Sequence, residues 1–197
     1  MKHKNFNATA SNARQKGQKL LEELSRNEEC NINTCLQLIR DGAALDIQDG
    51  DGNTALSHAA WCGHTSIVTA LLENNAPVHT ANEHACTILM LAAWRGETDI
   101  VTRLIEKGAM LDAQDKDGWT ALIHAASQGH GDTVLTLLQN GASTALTRND
   151  SKTAWEVAEY WEYKDIAKTI HDHHVKTTFA SAAEKGTPRR HKILRPK

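Results

Sequence analysis

A chain of 197 residues that is 40% hydrophobic and 23% charged, with 12 Gly and 3 Pro, has room for one domain with appendages, and its composition excludes collagen-like, disulfide-scaffold and wholly disordered classes. Cys30, Cys35, Cys62 and Cys86 show no CxxC spacing and read as reduced thiols of a cytoplasmic-type compartment. No apolar run approaches the ~18 residues that span a bilayer, and no apolar stretch follows the charges of residues 1–19, so neither membrane insertion nor signal-peptide secretion is expected. The net charge of −2 conceals an asymmetry: residues 1–19 carry five basic residues and no acid, residues 175–197 seven basic and one acid, and residues 20–174 ten basic against 23 acidic, a net of −13. Such a body repels phosphate, so nucleic acid is not expected to contact it.

Residues 1–18 show no sustained periodicity and are expected to form a mobile basic tail. Beyond Lys19-Leu-Leu-Glu-Glu-Leu24 the chain repeats. Thr54-Ala-Leu-Ser-His-Ala-Ala60, Thr87-Ile-Leu-Met-Leu-Ala-Ala93, Thr120-Ala-Leu-Ile-His-Ala-Ala126 and Thr153-Ala-Trp-Glu-Val-Ala-Glu159 follow one another at intervals of 33 residues. Gly63, Gly96 and Gly129 keep the same phase, as do Val68, Val101 and Val134, and the turn pairs Gly42-Ala43, Asn75-Ala76, Gly108-Ala109 and Gly141-Ala142. Each unit reads as two short helices and a turn. The threonines suit the cap of the first helix, the paired alanines allow neighbouring helices to approach, and the glycines end that helix at positive φ. The second helix places Ile67, Val68, Leu71 and Leu72, or Ile100, Val101, Leu104 and Ile105, on one face. Asp49-Gly-Asp-Gly52 and Asp115-Lys-Asp-Gly118 make tight polar turns into the next unit. Residues 175–197 lose the repeat and are expected to form a second mobile basic tail.

The pattern resembles the ankyrin repeat, with its T-P-L-H-x-A-A motif, following glycine and G-A turn. The resemblance implies an all-α ankyrin-repeat solenoid over 19–174, with an N-terminal cap at 19–48, full repeats at 49–81, 82–114 and 115–147, and a C-terminal cap at 148–174. The family's proline is replaced by Ala55, Ile88, Ala121 and Ala154, and its histidine by Ser57, Met90, Ile123 and Glu156. The hydrogen bonds that histidine makes between turns are therefore expected to be missing, at some cost in rigidity. Glu162 stands where the last helix-ending glycine would be, leaving that helix boundary open.

Motifs for chemistry are weak. Gly50-x-Gly52-x-x-Ala55 lies on a repeat turn without the preceding strand that a dinucleotide site needs. Asp49-x-Asp51-Gly52 and Asp115-x-Asp117-Gly118 resemble calcium loops, but Ile47 and Ala113 would fall at the first ligand position. His58 and His124, two units apart, are separated by on the order of 20 Å at 8–10 Å per helix layer and cannot share a zinc ion. They are expected to be satisfied, partly buried side chains. His171 and His174 are a helix-face pair better explained by the favourable end of a helix dipole than by metal. No nucleophile, base and orienting group recur, so no enzyme, cofactor or metal is expected.

The resemblance also implies which positions face the concave side: the turn tips and the end of the first helix. Trp61, Trp94, Trp119 and Trp161, with Arg95 and Tyr160, fall there, bordered by the acidic tips Asp51, Glu83 and Asp117. Exposed tryptophan with a charged rim is the composition of a protein-interface hot spot. Trp155 replaces a framework leucine and is expected in the core. The expectation is a monomeric adaptor, inhibitor or targeting protein whose partner presents an apolar anchor with Lys or Arg. Arg189, Arg190 and Lys192 in the C-terminal run supply an alternative, a nuclear-import signal or a contact to nucleic acid or an acidic surface. A bacterial effector delivered into a host cell would read in the same way.

Overall fold

The computed structural model describes residues 2–26 and 29–185, and ten helices lie among them: α1 (Lys2–Leu24), α2 (Ile32–Arg40), α3 (Ala55–Trp61), α4 (Thr65–Glu73), α5 (Ile88–Arg95), α6 (Thr98–Glu106), α7 (Ala121–Ser127), α8 (Gly131–Gln139), α9 (Ala154–Tyr160) and α10 (Lys164–Lys185). The helices pair within each unit, and the pairs stack into two layers. One layer runs α1, α3, α5, α7, α9 and the other α2, α4, α6, α8, α10. This is the all-α solenoid expected from the repeat.

Local chemistry sets each unit. Thr54, Thr87, Thr120 and Thr153 accept a hydrogen bond from the third residue of their helix, satisfying an amide that has no partner within the helix. The substitutions for the family's histidine are put to use. Ser57 Oγ accepts from the Thr54 amide at 3.2 Å, and the Glu156 carboxylate accepts from the Thr153 amide at 2.8 Å, so both close reciprocal capping boxes. His58, one residue later, bonds Asp49 in the preceding tip at 2.7 Å and restores a tie between helix and turn.

Leu56, Leu89 and Leu122 lie at equivalent core positions, and the alanine pairs at 59–60, 92–93 and 125–126 are fully buried where the first helices meet. Ile67, Val68 and Leu71 of α4, with Ile100, Val101 and Leu104 of α6, seal the second layer. Tip follows tip through backbone bonds: the Glu83 amide donates to Asp51 O at 2.9 Å, Lys116 to His84 O at 3.1 Å and Asn149 to Asp117 O at 3.0 Å. Within tips, antiparallel bridges join Gln48 with Thr54, Ala81 with Thr87 and Thr147 with Thr153.

Three expectations are revised and one open boundary is settled. Residues 2–18 are helical as part of α1, and Gly17 is buried where a Cβ would strike the Ala44 carbonyl. The Ala44 amide donates to Ala13 O at 2.9 Å and Lys16 Nζ to Asp41 O at 2.8 Å, so α1 docks on the first turn. At the other end α10 continues without a break from Lys164 to Lys185, past the expected tail boundary at 175. The basic run with Arg189, Arg190 and Lys192 lies outside the described residues. Glu162 takes the left-handed conformation itself, at φ 65°, which sets the break between α9 and α10. Trp155 is only half-buried, because an indole exceeds the slot that leucine fills in the other units. Its ring rests 5.1 Å from that of His171, its buried Nε1 has no hydrogen-bond partner, and it lines a cavity of about 370 Å³ with Thr144, Ile170 and His174.

Candidate functional site

The ends of the first helices place Trp61, Trp94, Ser127 and Tyr160 at successive equivalent positions. Trp61 and Trp94 meet face to face, with ring centroids 4.5 Å apart and planes 12° from parallel. Both are half-buried, and the Arg95 guanidinium lies 5.7 Å from the Trp61 centroid. The two rings and the cation form one plate. Beside Trp61 a cleft of about 250 Å³ is lined by Asn53, Ser57, His58, Asn82 and Leu91.

Trp119 does not extend this plate through a ring contact. It stacks on His124 of its own unit, with centroids 4.8 Å apart and planes 17° from parallel, and the Arg148 guanidinium of the next tip sits 4.3 Å from its centroid. Trp61, Trp94 and Trp119, expected together on the concave side, thus fall into two groups. Ser127, small and buried, then interrupts the aromatic column before the last unit. There Tyr160 and Trp161, 67% and 55% exposed, form an edge-on pair 5.4 Å apart, and Lys152 Nζ lies 4.6 Å from the Tyr160 centroid. Each aromatic group therefore carries a cation of its own chain. Arg148 and Lys152 went unrecognised in the sequence, although their place one repeat on from Asp115 and Trp119 was the available signal.

Asp51, Glu83 and Asp117 are exposed on their tips, as expected. Asp49 and Asp115 are structural instead. Asp49 Oδ1 accepts from the amides of Asp51 and Asn53 at 3.0 and 2.9 Å while Oδ2 meets His58. Burial pulls the Asp49 carboxyl upward, but these bonds outweigh it and hold it below its ordinary range. A carboxylate so engaged shapes the turn rather than a calcium site. Asp115 repeats the pattern, accepting from Asp117 and Trp119 at 2.9 Å, but its Oδ2 stands 3.6 Å from His124 Nε2. Neither His124 nitrogen has a hydrogen-bond partner, and burial lowers its pKa against the opposing pull of Asp115. His58 is satisfied as expected; His124 is packed under Trp119 without that satisfaction. Of the helix-face histidines, His171 stacks on Trp155 and His174 Nδ1 shares a 2.8 Å hydrogen bond with Thr144 Oγ1. Among the described residues, no three His, Cys, Asp or Glu side chains are grouped to hold a metal, and no helix is long and apolar enough to cross a membrane.

The family model described as ankyrin repeats (3 copies) matches this chain over residues 21–115 and 89–180. No curated protein matches it.

Proposed function

The chain belongs to the ankyrin-repeat family, whose repeats are protein-interaction modules, and from that premise we propose that it is a non-enzymatic adaptor, inhibitor or targeting protein that binds its partner through the plate of Trp61, Trp94 and Arg95. The observation that carries this reading is the parallel stack of two half-buried tryptophans at successive repeats. A stack holds its rings rigid at little further entropy cost, and tryptophan and arginine are the residues on which interface energy concentrates. Tyr160, Trp161 and Trp119 extend the contact toward the last units. The acidic tips Asp51, Glu83 and Asp117 favour a partner that surrounds its apolar anchor with Lys or Arg, and association slows as salt screens these charges.

The test is capture from the native cells on immobilised protein, followed by identification of what binds. A partner retained by a chain lacking 186–197 and lost from the Trp61→Ala/Trp94→Ala double variant supports the plate. A partner that is lost with 186–197 and ignores the double variant moves the function to the basic tail.

A further inference from the structure

The repeat lattice makes one contact between neighbouring units that turns, in the first unit, into chemistry. The residue ending each first helix is covered by the side chain 34 positions later: Gly63 by Glu97, Gly96 by His130 and Gly129 by Tyr163. The approach is close, since a Cβ at Gly96 would lie 2.5 Å from His130 Nδ1 and one at Gly129 2.6 Å from Tyr163 Cε1. The same step from the first unit leads from Cys30 to His64. There the covered residue has a side chain, and Cys30 Sγ lies 3.1 Å from His64 Nε2.

A second thiol stands beside the first. Asn31 caps α2, its side chain accepting from the Thr34 amide at 3.0 Å. Cys30 and Cys35 consequently occupy the residue before the cap and the fourth residue of the helix, the two positions whose side chains meet across a helix start. Cys30 packs against the core cluster that holds Cys35, and the two thiols are close enough for each to influence the other's titration. Cys35 is fully buried and Cys30 reaches partly to solvent.

We propose that Cys30 and Cys35 are a peroxide-sensitive dithiol, with Cys30 the attacking thiol, Cys35 the resolving thiol and His64 the proton acceptor. Accessibility assigns the order: burial raises both thiols and pushes Cys35 up to about 12, so the partly exposed Cys30 attacks and relies on His64 to take its proton. In the first step His64 Nε2 takes the Cys30 proton as sulfur attacks one oxygen of a hydroperoxide. The O–O bond breaks, the leaving oxygen takes the proton and departs as alcohol or water, and Cys30 becomes a sulfenic acid. In the second step Cys35 sulfur attacks the sulfenyl sulfur, and the displaced hydroxide leaves as water with the Cys35 proton. Two thiols are oxidised to one disulfide and the peroxide is reduced by two electrons. The bridge withdraws Cys30 from His64 and so loosens the contact between the first and second units.

The experiment treats the full-length chain with hydrogen peroxide, alkylates the remaining thiols and maps the peptides by mass spectrometry without reduction. Expected is a Cys30–Cys35 bridge, reversed by dithiothreitol, while Cys62 and Cys86 remain alkylated. Cys35→Ala is expected to stop at a sulfenic acid on Cys30, trapped by dimedone, and His64→Gln to slow oxidation about tenfold or more, at the scale of a lost proton acceptor. If Cys35→Ala does not fold, the wild-type map and the His64→Gln rate decide. Oxidation of Cys30 no faster than that of Cys62, a bridge to another cysteine, or an unchanged rate in His64→Gln overturns the proposal.

Discussion

Trp61 and Trp94 stand one repeat apart, and the 4.5 Å between their ring centroids makes them a single unit energetically. Ring pairs of this kind contribute about 0.5–1.5 kcal/mol beyond burial, so a double-mutant cycle with alanine at both positions is expected to show a coupling of that size in unfolding free energy. Trp119 behaves differently, because it closes over His124 and lies under Arg148. Trp119→Ala is expected to destabilise the fold by about 2 kcal/mol, below the range for a fully buried tryptophan; denaturant unfolding checks this. His124 gives the molecule a pH dependence. Burial lowers its pKa in the fold from 6.5, so below about that pH the unfolded chain binds more protons than the native state, and stability falls with falling pH. The melting temperature should therefore drop between about pH 7 and 5, and His124→Leu should flatten this slope. The positions of Trp61, Trp94, Trp119 and His124 were legible in the sequence from the repeat alone. Their contacts were not, because the orientation of Trp119 is settled by His124 in its own helix and by Arg148 in the next tip.

The tips join unit to unit through backbone, and glycine is required at only some of their turns. Gly118 has φ +81°, and a Cβ there would lie 2.9 Å from Arg148 Cα, a backbone atom that cannot step aside. Gly108, at φ +83°, faces open space. Gly108→Ala is thus expected to cost about 1–2 kcal/mol of left-handed strain, and Gly118→Ala clearly more, with weakened protection of the Asn149 amide in hydrogen exchange. The capped starts of α3, α5, α7 and α9 could be read from threonine spacing, since a cap is a local interaction. The extents of α1 and α10 could not. Their outer portions lack an apolar stripe, and α1 is held by the fit of Gly17 against Ala44, a contact between residues 27 apart that leaves no periodic trace.

At the scale of the whole molecule, stability is expected to distribute along the stack, since each unit contacts mainly its neighbours. Leu122 is almost fully buried between units, and Leu122→Ala should cost about 2–5 kcal/mol. Deleting residues 2–18 should lower the melting temperature, because it uncovers the first turn and leaves the Ala44 amide without its partner at Ala13. A mobile tail would be removable without effect. The proposed binding face combines the tip carboxylates with the aromatic plate, and the proposal puts Trp94 at its centre. The decisive measurement is the affinity of the captured partner for Trp94→Ala by titration calorimetry, set beside the thermal stability of the same variant. Expected is a loss of binding of about 2 kcal/mol or more with a stability change near 1 kcal/mol. Unchanged affinity together with a strongly lowered melting temperature would show that the tryptophans brace adjacent repeats and that the partner binds elsewhere.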